Sequence, residues 1–363
     1  MHLMNKILHV AEDISITSGG LRTMILELNN YLNQNKIDSN ILTLKKEAED
    51  VSFESCVCKG NPWWYANDLK DKLNIKLSEN NFMHLHGAWM YPQYIAAKLS
   101  RKQNVPYLMT FHGMLEPFLL KDKYYKKAGY FEIILKKAAK KAQILHAITP
   151  NEKNNLFNDF NHNQIIEIPN LIHFKEEKQA IYNPEEDYFL FLGRFHRVKG
   201  IDLLLNAFEK MSNKQMKLYL VGFENDYSKK IMKRIEHSTI SHRVKFCGAL
   251  VNHEKELVIA NAKALISPSF SEVIGMVNLE AANMRTPVIT TFNTGINKDW
   301  GNNGGIIINP NIEEITSALN KASDWSNNER IERGNHLYEY VYYNYSWQKK
   351  GKLWIELYNH LMT

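Results

Sequence analysis

Short runs rich in Ile, Leu, Val and Phe alternate with helix-like segments along most of this chain, and the alternation breaks once, at Pro169-Asn170, before it restarts. A strand–helix–strand rhythm builds parallel sheets covered by helices on both faces, because each parallel strand is reached through a crossover. In the first half, residues 5–10, 38–44, 82–86, 107–111, 144–148 and 165–168 read as strands, and 21–33, 92–102, 124–141 and 151–160 as helices. In the second, strands are expected over 188–192, 217–221, 244–247, 264–267, 288–291 and 305–308, and 327–362 reads as one or two helices. The polar stretch Lys175 to Glu186 has the composition of an exposed linker. The expected organisation is an α/β domain over 1–172, a linker over 173–186, a second α/β domain over 187–345, and a helix over 346–363 able to cross back to the first domain. Two successive sheets suggest a ligand cleft between domains.

The length of 363 residues agrees with two cores at roughly 150 residues each. With 44% apolar and 23% charged residues the chain is neither disordered nor a disulfide scaffold. Cys56, Cys58 and Cys247 are too few for an oxidised framework, and Cys56-x-Cys58 has no second pair to complete a zinc site, so a reducing compartment fits best. The short apolar run before Glu12 and Asp13 does not make a secretory leader, and no stretch approaches the roughly 20 apolar residues of a membrane span. A net charge of +6 suits phosphate-bearing ligands or an anionic surface without selecting either.

Four segments can carry chemistry. Ser269-Phe-Ser-Glu272-Val-Ile-Gly275-Met276-Val277-Asn-Leu-Glu280 straddles a loop and a helix start after a strand. Gly275 is expected to bend the chain, the free amides of Met276 and Val277 to form a partly positive pocket for sugar hydroxyls or phosphate oxygens, and Glu280 to sit one turn inside the helix. Gly193-Arg194-Phe-His-Arg-Val-Lys199-Gly200 sets two fixed cations beyond another strand, a fork and a point charge suited to a diphosphate. Ser18-Gly19-Gly20 lets backbone amides approach a ligand at a helix N-terminus, and Thr110-Phe-His112-Gly113 puts an imidazole at a strand's carboxyl end. Taken singly, each also reads as a plain surface loop or a satisfied histidine. His84-x-His86 places two imidazoles on one strand face, with no third ligand nearby in sequence, so no metal is expected there. Asp-x-Asp occurs nowhere, which leaves Arg194 and Lys199 to neutralise a diphosphate and favours metal-independent chemistry.

In their chain order these motifs resemble the glycosyltransferases of family 4, retaining enzymes with the two-Rossmann-domain architecture called GT-B. The resemblance rests on Gly19-Gly20, Thr-Phe-His112-Gly113, Pro169-Asn170, Gly193-Arg194 with Lys199-Gly200, and Glu272-x7-Glu280, and spans nearly the whole chain. It implies an α/β fold of two Rossmann-like domains facing each other across a cleft, the first on the acceptor side, the second binding a nucleotide-sugar donor. Arg194 and Lys199 would bind the donor diphosphate, Glu280 the ribose hydroxyls, and Glu272 with the amides of Gly275, Met276 and Val277 the donor sugar or phosphate. His112 would contact the sugar near the anomeric carbon, and Gly19 and Gly20 would line the diphosphate or acceptor side. Phe246-Cys-Gly248-Ala-Leu250 resembles the stretch that packs near the nucleobase. Two departures stand out: the family's Glu-Gly-Phe-Gly is Glu272-Val273-Ile274-Gly275 here, with a β-branched Val273 ill suited to φ > 0, and Leu171 replaces the Gly after Pro169-Asn170.

His84-Leu-His-Gly87-Ala-Trp89, with Phe111-His-Gly-Met-Leu-Glu-Pro117 and a lysine-rich helix, looks like the subgroup that builds bacterial surface polysaccharides. That implies a hexose or N-acetylhexosamine donor (a UDP-sugar first, GDP-mannose second), a lipid-linked or lipopolysaccharide acceptor, no cofactor, no nucleic-acid partner, and a cytoplasmic protein peripheral on the inner membrane face. From Lys121 to Lys141 eight lysines interleave with Tyr124, Tyr125, Tyr130, Phe131, Ile133, Ile134 and Leu135, which suits an anionic membrane surface or, alternatively, a core-packing helix with a solvated lysine face. A GT-B epimerase and a non-catalytic nucleotide-dependent membrane-binding module are the competing readings, whereas a dehydrogenase is disfavoured because no Gly-x-Gly-x-x-Gly follows the first strand.

Overall fold

The apolar runs become strands where both faces of the sheet are covered, which is why they read as continuous rather than alternating. The computed structural model describes residues 6–58, 60–120, 124–174 and 182–362, and the chain divides into two units, Met1–Leu171 with Lys350–Thr363, and Ile172–Lys349. In the first unit β1 (Lys6–Ala11), α1 (Gly20–Gln34), β2 (Asp38–Thr43), β3 (Glu54–Ser55), α2 (Leu69–Glu79), β4 (Phe82–His86), α3 (Tyr91–Gln103) and β5 (Tyr107–Thr110) are followed by α4 (Pro117–Leu120), α5 (Tyr124–Tyr130), α6 (Lys136–Lys141), β6 (Ile144–Ala147), α7 (Pro150–Phe160) and β7 (Ile165–Glu167). All seven strands are parallel, in the order β3-β2-β1-β4-β5-β6-β7. Strands β4 and β5 are buried along their whole length, and Leu69, Leu73 and Leu77 of α2, one turn apart, pack into the same core.

The second unit repeats the plan with β8 (Tyr188–Leu192), α8 (Ile201–Lys210), β9 (Lys217–Val221), α9 (Asp226–Glu236), β10 (Val244–Gly248), α10 (Asn252–Ala260), β11 (Ala264–Ser267), α11 (Met276–Asn283), β12 (Val288–Thr291), β13 (Ile306–Ile308), α12 (Ile312–Ser323) and α13 (Asn327–Tyr345). Its six strands are parallel in the order β10-β9-β8-β11-β12-β13. Both sheets are Rossmann-like, and in each the strand order reverses once, between β1 and β4 and between β8 and β11. That reversal opens a crevice at the carboxyl ends of the two strands, where open α/β sheets take ligands.

Two expected helices differ in detail. The stretch 327–362 forms three rather than one or two: α13, then α14 (Trp347–Lys350) and α15 (Lys352–Met362). The break comes at Ser346, whose backbone is extended (ψ 148°) and bridges Ile172, with the Ile172 N–H donating to Tyr345 O at 2.8 Å. The lysine-rich helix, of which 121–123 lie outside the described residues, is interrupted by a π turn at Phe131–Leu135. The wider turn stacks Phe131 on Phe160 at 5.3 Å and buries Leu135. Most of the expected linker, 175–181, also lies outside the described residues.

Helix α15 belongs to the first unit, and a hydrogen-bond chain ties it to the sheet. The Ile168 carbonyl can only accept, so His146 Nε2, 2.8 Å away, carries the hydrogen. His146 Nδ1 must then accept from Thr110 Oγ1 at 2.9 Å, Thr110 accept from His84 Nε2 at 2.7 Å, and His84 Nδ1 accept from the Tyr358 hydroxyl of α15 at 2.7 Å. Every donor in this buried chain follows from one carbonyl. Tyr358→Phe leaves a buried lone pair with no donor and is expected to cost about 1–3 kcal/mol in chemical denaturation.

Candidate active site

In the second unit the crevice between β8 and β11 gathers both charged loops read from the sequence. Gly200, left-handed at φ 68°, has no room for a Cβ, which would collide with the Pro268 carbonyl oxygen, so the loop after β8 lies directly on the loop after β11. The Phe270 N–H reinforces this by donating to Val198 O at 2.8 Å. The contact brings Lys199 Nζ to 2.7 Å from Glu272 Oε2, with side chains only 18% and 12% exposed. Glu272 Oε1 accepts from the Ser269 hydroxyl, so both carboxylate oxygens are held, and the Glu272 backbone N–H donates to Asn293 O at 2.9 Å. Arg194 is exposed at the same strand end. Gly193 and Gly222 abut at the ends of β8 and β9, where a Cβ on Gly222 would strike Gly193 O.

Gly275 is not the bend the sequence suggested. Its φ of −74° is open to any residue, and it is the space that is missing: a Cβ would lie 2.9 Å from Asn278 Nδ2 and 3.1 Å from Glu272 Oε2. Val273 is absent from the left-handed residues and is buried, so the β-branched side chain meets no backbone conflict. Met276 and Val277 open α11 with amides that helix geometry leaves unpaired within the helix. Glu280 lies one turn further on and pairs with Lys255 Nζ of α10 at 2.8 Å. Leu250 is half-buried just past β10, after Gly248 at φ 70°.

In the first unit Gly19 caps α1 at φ 63° with open space around it, and Gly20 is the first helical residue. Glu12, just past β1, is buried at the reversal point, where it accepts from Gln93 Nε2 at 2.6 Å, and burial raises its carboxyl above the usual range. His112 follows β5 in a left-handed conformation, φ 52°, unusual for a residue with a side chain. The turn is clamped by Glu152 of α7, whose oxygens accept from the Gly113 N–H at 3.0 Å and the Ile148 N–H at 2.7 Å. Burial pushes the Glu152 carboxyl up to about 7 and His112 down to about 3.

The ring nitrogens of His9, His84 and His86 gather within 4.8 Å. Both nitrogens of His84 and both of His86 are already hydrogen-bonded, so a cation there would have to displace these bonds. Sequence reasoning overlooked Lys255, Glu152, Gln93, His9 and Glu12 as site residues. Only Glu12 and His9 carried a usable signal, as polar groups on or at the end of an otherwise apolar first strand.

Comparison with known proteins follows the same division. The family model for glycosyl transferases group 1 matches residues 173–341, and that for Glycosyltransferase Family 4 matches residues 18–176. An uncharacterized glycosyltransferase of Methanocaldococcus jannaschii is 28% identical over 63% of this chain and 61% of its own length. The O-antigen chain mannosyltransferase of Salmonella typhimurium is 23% identical over 60% of this chain and 64% of its own length, so the matches span less than two thirds of either relative. Among solved structures, an Anabaena protein in complex with UDP and glucose superposes with a TM-score of 0.79 at 15% identity, covering 98% of this chain and 100% of that one.

Proposed function

The chain belongs to the family 4 glycosyltransferases carrying a group 1 domain, with the GT-B fold, and from that premise we propose that it moves a hexose or N-acetylhexosamine from a nucleotide-diphosphate sugar to a hydroxyl of a lipid-linked oligosaccharide or lipopolysaccharide intermediate. The observation that carries this reading is the Lys199–Glu272 pair, set with Arg194 at the reversal point of the second sheet. There Arg194, Lys199 and the first amides of α11 meet the charge that grows on a departing diphosphate, stabilising the transition state more than the ground state. Glu272 orients sugar hydroxyls, Glu280 takes the ribose, and Leu250 flanks the base. The C1–O bond to the diphosphate breaks, the acceptor oxygen bonds C1 on the same face, and the acceptor proton passes to the leaving phosphate oxygen. The anomeric configuration is retained, and the two cations do the neutralising that a divalent ion would otherwise do.

Supporting the choice of substrate class, one relative acts on O-antigen chains and one structural neighbour holds UDP with glucose. A thermal-shift and calorimetric panel of UDP, GDP, ADP and their sugar derivatives, without added metal, tests the reading. One nucleotide at a hundred times its Kd should stabilise the protein by about 3 kcal/mol. A flat response to all of them would overturn it.

A lipid-linked acceptor also calls for a place to meet the bilayer. No helix among the described residues is long and apolar enough to cross a membrane. In the interrupted lysine-rich helix, however, Tyr125 and Ile133 are 88% and 76% exposed, beside exposed Lys126, Lys137, Lys140 and Lys141. Apolar tips among cations suit anionic headgroups. The protein should float with phosphatidylglycerol liposomes, and charge reversal of Lys126, Lys127, Lys136 and Lys137 should abolish flotation; unchanged binding would remove the membrane role.

A further inference from the structure

Beneath His112 lies a row of imidazoles crossing three adjacent strands. His112 Nε2 is 3.0 Å from His86 Nδ1, and His86 Nε2 is 2.9 Å from His9 Nδ1, with near-parallel rings at 5.3 and 5.2 Å. Each contact joins two ring nitrogens, so one must carry a hydrogen and the other a lone pair. Burial holds all three rings in the neutral form, with one of each.

Only two arrangements then satisfy both bonds. With hydrogens on Nε2 throughout, His112 donates inward to His86, His86 donates to His9, and the last N–H, on His9 Nε2, is buried with no partner among the described residues. With hydrogens on Nδ1 throughout, His9 donates to His86 and His86 to His112, and the atom left over on His9 is a bare lone pair. An orphaned buried N–H is the rarer and more costly of the two. The fixed-donor chain through His146, Thr110, His84 and Tyr358 runs alongside without sharing a nitrogen with this row, so it does not bias the choice.

We infer that His9 and His86 are positioning residues that lock His112 as the Nδ1–H tautomer, so that it presents a hydrogen-bond donor, not a base, to its ligand. The ligand-facing role of His112 rests on the function proposed above, whereas the tautomer does not. A neutral N–H facing outward suits a sugar hydroxyl oxygen or a developing negative charge and cannot take the acceptor's proton.

Long-range proton–nitrogen NMR on the full chain labelled with 15N-histidine tests this without any substrate, His112 being assigned from the signals lost in His112→Asn. The expected spectrum has His112 Nδ1 protonated and Nε2 bare. His9→Asn keeps a donor where Nδ1 stood and should preserve that pattern, whereas His9→Leu should shift His112 toward the other tautomer or a mixture. An Nε2–H or doubly protonated His112 in the unaltered protein would overturn the inference, and that spectrum decides even if His9→Leu fails to fold. An unchanged His112 in folded His9→Leu would overturn it too. In transfer assays His9→Leu should lose about ten- to a hundredfold in kcat with donor KM unchanged, and His9→Asn should recover it. If the unaltered protein shows the expected tautomer and His9→Leu shifts it while turnover is undiminished, the lock stands and His112 does not act on the donor.

Discussion

Lowering the pH from 7 to 5 is expected to reduce the melting temperature of the first unit by about 5–10 °C, through its buried imidazoles. Burial lowers His9 and His112 to about 3 and His146 to about 4, and lowers His84 and His86 as well. A histidine in the unfolded chain takes up its proton near 6.5. The stability these groups carry is therefore complete above that pH and drains away as pH falls toward 3 to 4, at up to about 1.4 kcal/mol per histidine per pH unit. Three of them at pH 5 amount to about 6 kcal/mol. Glu152 works in the opposite sense, since its folded value of about 7 lies above its unfolded value. Its protonation returns up to about 3 kcal/mol between pH 7 and 5, and Glu12 acts in the same direction. On these figures the histidines outweigh Glu152 by about 3 kcal/mol, a sizeable part of a domain's usual 5–15. Calorimetric melts at pH 7, 6 and 5 check this, and a melting temperature that holds steady or rises would mean the imidazoles accept protons within the fold.

The strands were the most legible part of the chain. Phe82–His86, Tyr188–Leu192, Lys217–Val221, Ala264–Ser267 and Val288–Thr291 have the bounds expected from their sequence runs, because parallel strands covered by helices stay rich in apolar residues along most of their length. The two-residue edge strand Glu54–Ser55 has no apolar run to announce it. Helix α2 carries its signal only in Leu69, Leu73 and Leu77, which lysines and an aspartate on the same stretch dilute. The π turn at 131–135 and the break at Ser346 are set by tertiary contacts, with Phe160 and Ile172 respectively, and neither partner is near in sequence.

The site was legible as residues and not as pairs. Arg194, Lys199, Glu272 and Glu280 stand out because charge beside glycine at a strand end is unusual chemistry. That Lys199 meets Glu272, and Lys255 meets Glu280, depends on which strand ends become neighbours when the sheet order reverses. Gly275 is instructive in another way: its sequence context suggested backbone freedom, while its actual requirement is the closeness of Asn278 and Glu272. The clamp by Glu152 is invisible for the same reason as the ion pairs, since its partners Gly113 and Ile148 are backbone groups of two other elements.

Lys199→Ala should lower kcat/KM for transfer by about 10²- to 10³-fold, the usual effect of removing one donor aimed at transition-state charge. Arg194→Ala should cost more than about tenfold. The ion pair of Lys199 with Glu272 leaves two roles to separate. If Lys199 neutralises the diphosphate, its removal must hurt whether or not Glu272 is charged. If it only holds Glu272 in place, its loss should matter little once Glu272→Gln has removed the charge it pairs with. The double-mutant cycle decides: the expected result is that Lys199→Ala still loses at least about tenfold in the Glu272→Gln background. Lys199→Arg should recover activity only in part, because a planar fork replaces a point charge between Glu272 and the phosphate. Because the pair is mostly buried, Lys199→Ala leaves the Glu272 carboxylate without its partner and should lower stability by a few kcal/mol, so rates are compared at a temperature where every variant is fully folded. A large rate loss in fully folded protein would then report on transition-state charge, and a loss that vanishes with Glu272→Gln would reduce Lys199 to a support for the carboxylate.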